Sequence, residues 1–166
     1  IVTTNLTINN STSNTTTLTQ CDSYVWSLNG TTYNTSGTYT NVSTNSVGCN
    51  HTEILNLSIT NSTSNTSSVV ACDSYLWMVD GNTYNTSGTY TDLSINAAGC
   101  THTEILNLTI NTPTFNNTTL AQCSSYTWPI NGNTYNTSGI YTDVSVNAGG
   151  CTHTETLNLT IDNNTS

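Results

Sequence analysis

The clearest alternation of apolar and polar positions lies in residues 53–59. There Leu55, Leu57 and Ile59 share one face, and Ile54, Asn56 and Ser58 share the other. A period of two predicts a β-strand with one buried face. The same pattern returns as Leu106, Leu108 and Ile110, and again as Leu157, Leu159 and Ile161, where Thr156 replaces the outward Ile. A shorter run places Tyr24, Trp26 and Leu28 on one face. Its counterparts are Tyr75, Trp77 and Val79, and Tyr126, Trp128 and Ile130. The residues between vary freely (Ser27, Met78, Pro129), so the constant face is the expected core face, and Pro129 places its strand at an edge or its nitrogen outside the ladder. Asn29-Gly30, Asp80-Gly81 and Asn131-Gly132 predict tight hairpin turns. Return strands then carry Tyr33, Tyr84 and Tyr135. A second turn at Thr35-Ser36-Gly37 and its counterparts leads into a strand through Tyr39–Thr44. Residues 9–19, 60–70 and 111–121 are rich in Ser, Thr and Asn and read as polar linkers, with Leu18, Val69-Val70 and Leu120 as candidate strand starts.

All these features recur at a fixed interval of 51 residues, marked by Cys21, Cys72 and Cys123 and by Cys49, Cys100 and Cys151. Such a period signals one supersecondary unit used repeatedly. The expected class is all-β: three tandem small Ig-like β-sandwich modules of 51-residue period, with four or five short strands and one disulfide each. The expected boundaries are 9–59, 60–110 and 111–161, with 162–166 as a tail or linker. Residues 1–8 align with 52–59 and are expected to be an orphan or donated β-strand. Either a longer array continues through it, or it completes a sheet in a neighbouring molecule.

Composition narrows the function. The 166 residues include no Lys or Arg and nine carboxylates, for a net charge of −9. Nucleic acid is excluded as a partner, because phosphate binding releases counterions through cationic side chains. Anionic membrane surfaces are disfavoured for the same reason, and no apolar run reaches the ~20 residues of a helical span. Three Trp and nine Tyr, at repeating positions, argue for a folded chain despite its polarity. A unit of about 50 residues buries little and needs a staple. Six Cys allow 15 pairings, which repeat symmetry narrows to two. The favoured scheme lies within units: Cys21–Cys49, Cys72–Cys100 and Cys123–Cys151, each stabilising by roughly 3–4 kcal/mol through loop closure. The alternative joins Cys49–Cys72 and Cys100–Cys123 and leaves Cys21 and Cys151 for neighbouring molecules. Without a Cys-x-x-Cys, structural disulfides outweigh metal or redox chemistry, and they imply an oxidising, extracellular setting. No leader precedes Ile1, so a processed chain or a piece of a longer one is expected.

The pattern C-[DS]-S-Y-x-W, then [ND]-G-x-T-Y-N-T-S-G-x-Y-T, then G-C, then L-N-L-[ST]-I covers essentially the whole chain. It resembles tandem repeats of large secreted surface proteins of Bacteroidetes-type bacteria. The resemblance implies an adhesin-like or fibrous protein at the cell surface. The chain departs from that pattern after the second Cys of each repeat, where Asn50-His51, Thr101-His102 and Thr152-His153 replace Asp-Ser.

Candidate sites are few. Sheets protect their edges with Lys or Pro, yet Lys is absent and only Pro113 and Pro129 occur. Covalent glycans are the expected substitute and the only expected prosthetic group. The candidates, within Asn-x-Ser/Thr motifs, are Asn5, Asn14, Asn34, Asn56, Asn61, Asn65, Asn85, Asn107, Asn116, Asn117, Asn136 and Asn158. Tyr33, Tyr39, Tyr84, Tyr90, Tyr135 and Tyr141 are candidates for stacking on sugar rings. His51 and Glu53, with their repeats, share a strand face, but two ligands per unit do not close a metal site. No nucleophile motif and no cation for an oxyanion occur, so no catalytic residue is assigned and no enzyme is expected. The expectation is a structural subunit of an extracellular, glycosylated filament or surface stalk, assembled end to end with strand complementation. An adhesin or carbohydrate-binding repeat is the alternative. Self-association into a polymer is the expected partnership, with polysaccharide second.

Overall fold

The computed structural model describes residues 2–162. Fifteen strands and no helix occur among them, and no helix is long and apolar enough to cross a membrane. Each repeat contributes five strands. The first has β1 (Thr12–Cys21), β2 (Tyr24–Trp26), β3 (Thr31–Tyr33), β4 (Gly37–Thr44) and β5 (Asn50–Thr60). The second has β6 (Thr63–Cys72), β7 (Tyr75–Trp77), β8 (Asn82–Tyr84), β9 (Gly88–Ile95) and β10 (Thr101–Asn111). The third has β11 (Thr114–Cys123), β12 (Tyr126–Thr127), β13 (Thr134–Tyr135), β14 (Gly139–Val146) and β15 (Thr152–Asp162).

The expectation of an Ig-like sandwich is overturned. That fold packs two antiparallel sheets face to face. Here each repeat has one three-stranded sheet, in the order β1-β5-β4, β6-β10-β9 or β11-β15-β14, plus a two-stranded hairpin, and the sheets of the first and third repeats are mixed. β1 pairs parallel with β5 from Thr12↔His51 to Cys21↔Thr60, and β4 pairs antiparallel with β5 from Gly37↔Leu57 to Thr44↔Asn50. The parallel partners are 39 residues apart, and 12 more carry the chain from His51 to Thr63, where the next such strand begins. Those two spans make up the 51-residue period. The supposed linkers are therefore strands. Residues 12–21 escape an alternation test because nine of the ten are exposed, only Leu18 turning inward.

The central strand carries the core because it is covered on both edges and by the hairpin. Trp26, Leu55 and Leu57 are buried together, with Leu18, Tyr24, Tyr33, Tyr39 and Ile59 packed around them. Trp77 with Leu106 and Leu108, and Trp128 with Leu157, Leu159 and Ile161, repeat the arrangement. Each buried Leu or Trp contributes on the order of 2 kcal/mol of apolar transfer. Leu28, Val79 and Ile130, expected in the core, lie 53%, 48% and 53% exposed. The strand ends at the Trp. The chain then turns, with Gly30 N donating to Trp26 O and Gly30 itself at φ +68°. Pro129 falls in the third copy of that turn, after the shortened β12.

Two compact units result: Ile1–Asn65 with Leu93–Glu104, and Thr66–Asp92 with Ile105–Ser166. The first contains the sheet β1-β5-β4 with its core. The second contains the sheet β11-β15-β14, the hairpin β7–β8 and both remaining cores. Residues 2–11 form no strand, and Val2, Leu6 and Ile8 are exposed. Alignment with β5 sets Thr4 at the position of Leu55, which is wholly buried. In the expected tail, Asp162 ends β15 and residues 163–166 lie outside the described residues.

Candidate covalent junction

Each first-type Cys closes the edge strand β1, β6 or β11. The next residue leaves the strand in the left-handed region: Asp22 at φ 62°, Asp73 at 63° and Ser124 at 68°. Asp and Ser side chains tolerate this bend better than β-branched ones. The backbone then clamps onto the end of the central strand, with Asp22 N donating to Thr60 O (2.8 Å) and Asp73 N to Asn111 O (3.0 Å).

Each second-type Cys sits in the loop Asn-x-x-Gly-Cys. Asn96 Oδ1 accepts from Ala98 N and Cys100 N (both 3.0 Å), and its Nδ2 donates to Asn61 O (2.9 Å). Asn147 does the same with Gly149 N, Cys151 N and Thr112 O. Gly99 takes φ +83°, where a Cβ would be strained. One Asn thus fastens the Cys loop to the connector that precedes its own repeat.

The two ends meet across repeats. Cys21 bonds to Cys100 and Cys72 to Cys151, each over 79 residues, with Cα–Cα distances of 5.6 and 5.7 Å. Both disulfide schemes expected from sequence, including one disulfide per repeat, are therefore corrected. The first Cys of each repeat joins the second Cys of the following repeat. Within one repeat the two Cys lie at different places, one ending an edge strand and the other opening the central strand. Each bridge falls inside one compact unit: Cys21–Cys100 in the first, Cys72–Cys151 in the second. Cys49 and Cys123 are free. Disulfides of this kind persist in oxidising compartments.

The other candidates are distributed as follows. Asn14, Asn65 and Asn116 donate to Glu53, Glu104 and Glu155 at 2.8–3.1 Å. Those carboxylates also accept from His51, His102 and His153 Nε2, while each His Nδ1 meets the hydroxyl of Thr12, Thr63 or Thr114. The His bond first, then the Asn bond, holds each Glu below its ordinary range. No group of three or more His, Cys, Asp or Glu gathers as a metal site among the described residues. Asn56 and Asn107 accept from Thr38 and Thr89, and Asn158 is half-buried. Asn5, Asn34, Asn61, Asn85, Asn117 and Asn136 are exposed. Tyr33 lies on Tyr39 with ring centroids 3.8 Å apart, and Tyr84 and Tyr135 lie on Tyr90 and Tyr141 at 3.7 Å. The candidate sugar-stacking rings therefore face each other.

Sequence reasoning missed Asn45, Asn96 and Asn147. Their constancy four residues before the second Cys, with the constant Gly and two variable positions between, was the available signal. Comparison with protein-family models and with curated proteins finds no match to the chain.

Proposed function

We propose that the chain is a structural subunit of an extracellular, glycan-coated filament or surface stalk, in which repeats continue end to end and carry tension. The supporting observation is the stagger of the two bridges. Between Cys21 and Cys151 the polypeptide has 130 residue steps. The shortest covalent route instead crosses from Cys21 to Cys100, runs the 28 steps back to Cys72, and crosses to Cys151. At about 3.4 Å per extended residue, this caps the stretch near 110 Å, where the open chain reaches about 440 Å. Overlapping loops limit extension even when every strand is pulled apart. Disulfides confined within repeats would leave the connectors between repeats unprotected.

Glycans belong to this reading because the edge strands are otherwise bare. β1, β6 and β11 are almost wholly exposed and carry no Lys. Pulling the chain from its ends in a single-molecule force measurement tests the mechanical role. The unfolding extension between Cys21 and Cys151 should stay near 110 Å and lengthen about fourfold after reduction. A full-length extension before reduction would overturn it.

A further inference from the structure

Each repeat holds a hydroxyl, an imidazole and a carboxylate in line. In the first, Thr12 Oγ1 lies 2.6 Å from His51 Nδ1, and His51 Nε2 lies 2.9 Å from Glu53 Oε1. The second has Thr63, His102 and Glu104 at 2.6 and 2.9 Å. The third has Thr114, His153 and Glu155 at 2.7 and 3.0 Å. A nucleophile bonded to a base that a third group orients is the arrangement of nucleophilic catalysis. We propose that these relays activate Thr12, Thr63 and Thr114 as nucleophiles toward esters of small carboxylic acids, so that the chain is also an esterase.

Strand register builds the relay. Thr12 pairs with His51 and Asn14 with Glu53 in the parallel ladder, as Thr114 pairs with His153 and Asn116 with Glu155. Positions two apart on a strand share a face, so hydroxyl, ring and carboxylate project side by side. The proton has one place to sit. An ionised carboxylate only accepts, so Glu takes the Nε2–H and leaves the Nδ1 lone pair facing the Thr hydroxyl. A bond from Asn14, Asn65 or Asn116 holds each carboxylate in place, and the chain has no Lys or Arg to divert it. The His51 and Glu53 side chains are 20% and 23% exposed, whereas each Thr opens an edge strand and is exposed. An ester thus has access to the hydroxyl while the relay behind it is shielded. Two of the hydroxyls also have an amide donor beside them. Asn96 Nδ2 lies 3.4 Å from Thr63 Oγ1, and Asn147 Nδ2 lies 3.3 Å from Thr114 Oγ1. A side-chain amide next to the attacking oxygen meets the developing oxyanion without any cation. Asn45 Nδ2 donates to Asn10 O instead (3.1 Å), which leaves Thr12 the least equipped.

In the first step the Thr Oγ1 bonds to the acyl carbon while its proton passes to His Nδ1. The bond from that carbon to the leaving alcohol breaks, and Nδ1–H gives the proton to the alcohol oxygen. In the second step water attacks the acyl-Thr ester and loses a proton to Nδ1, and Thr Oγ1 leaves with that proton. One ester and one water become a carboxylic acid and an alcohol. Glu is the positioning residue, opposite the imidazolium that forms in each step. Exposed strand ends give an acyl chain little to pack against, hence the small acid.

The test is the folded chain with both bridges formed, treated with an alkyl fluorophosphonate and, separately, with p-nitrophenyl acetate. Peptide mapping with an aromatic-specific protease, since there is no Lys or Arg to cut, should place the phosphonate on Thr63 and Thr114 first and on Thr12 later. Acetate release should exceed that of the chain carrying Thr12→Val, Thr63→Val and Thr114→Val by about a hundredfold. Thr12→Ser, Thr63→Ser and Thr114→Ser together should keep it. His102→Gln should abolish labelling of Thr63 and spare that of Thr114, a control within the same molecule. Glu104→Gln should silence Thr63 by turning the ring: its amide donates to Nε2 and the ring proton moves to Nδ1. Ring-nitrogen NMR shifts report that exchange, which a merely structural bond would not couple to reactivity. Circular dichroism checks that each variant folds, and the label map of the unsubstituted chain needs no variant. Phosphonate scattered over other Ser and Thr, none on Thr63 or Thr114, labelling of Thr63 that survives His102→Gln, or acetate release unchanged in the triply substituted chain would each overturn the proposal. The filament reading does not enter, because none of these measurements depends on assembly.

Discussion

The two bridged junctions share their bridge, its left-handed Asp and its loop Asn, and differ in the connector beside them. In the first, the Asp22 carboxylate accepts from Ser62 N (2.8 Å) and Ser62 Oγ (2.7 Å). In the second, the position of Ser62 is Pro113, which offers neither an N–H nor a hydroxyl. Asn111 there donates its side chain to Gly149 O at 2.7 Å, whereas Thr60 in the first junction lies against Cys100 Sγ. The 79-residue bridge, the left-handed Asp and its backbone bond to the central strand are common to both. Covalent and backbone geometry set the junction, and the side chains are local and interchangeable ways of closing it. A proline that fixes the connector replaces a carboxylate that ties it.

If the bridge dominates, its removal should cost the same in both places. The pairs Cys21→Ser/Cys100→Ser and Cys72→Ser/Cys151→Ser should each lose about 4–5 kcal/mol, the loop-closure value for rings of this length. Urea unfolding of each variant measures it. A clearly smaller loss in the first pair would mean that the Asp22–Ser62 bonds carry part of what is assigned to the sulfur.

The next test concerns the shared Asn. Asn96→Ala and Asn147→Ala each delete four hydrogen bonds, the longest from Nδ2 to the hydroxyl of Thr63 (3.4 Å) or Thr114 (3.3 Å); at roughly 1 kcal/mol apiece a loss of about 3–4 kcal/mol is expected in either. Both variants should also be reduced by dithiothreitol at lower concentration, because the loop presenting Cys100 or Cys151 is no longer held. Unequal losses would show that Asn111 backs up Asn147 in a way that Thr60 does not back up Asn96.

The sequence made the repeat, the all-β class and the inward face of the central strands legible, since Leu55, Leu57 and Trp26 alternate where burial demands it. It hid the edge strands and the disulfide pairing, for one physical reason. β1 is held by its ladder to β5 and by polar partners such as Thr12–His51 and Asn14–Glu53, so burial leaves no apolar trace along it. Without that strand the end of β1 cannot be located, and Cys21 cannot be seen to approach the following repeat. Spacing alone could not choose Cys100, because pairing within a repeat and pairing to the next obey the same 51-residue symmetry.

A third test exchanges the side-chain solutions. Ser62→Pro should remove both Asp22 bonds and fix the first connector. Pro113→Ser should give Asp73 the partner that Asp22 has, at the loss of about 0.4–1 kcal/mol of proline stiffening. Thermal unfolding at neutral pH should therefore change little in either variant, and the change should show in acid instead. A large neutral-pH loss in Ser62→Pro would break the claim of interchangeability.

The smallest expected effect is the acid limb itself. The Ser62 backbone N–H, then the Ser62 hydroxyl, holds Asp22 below its ordinary 3.8. A depressed carboxyl contributes stability that is fully present above the unfolded value and is lost as pH falls through the folded one. The Asp22 share should therefore disappear below about pH 4. Glu53, Glu104 and Glu155, depressed from 4.5 by their His and Asn partners, add a similar limb. Glu53 and Glu104 belong to the first unit with Asp22, three depressed carboxylates in all; the second unit has two, Glu155 and Asp80, the latter opposed by burial and lowered by its bonds to Tyr84 and Asn82. The first unit should accordingly loosen earlier on acidification. Each repeat has one Trp, so indole resonances followed by NMR from pH 6 to 2 separate the units, with Trp26 shifting before Trp128. Asp22→Asn should bring the two closer together, because an amide keeps an acceptor for Ser62 and has no proton to gain. If Trp26 still leads by the same margin in Asp22→Asn, the difference lies in the Glu residues and not in the junction.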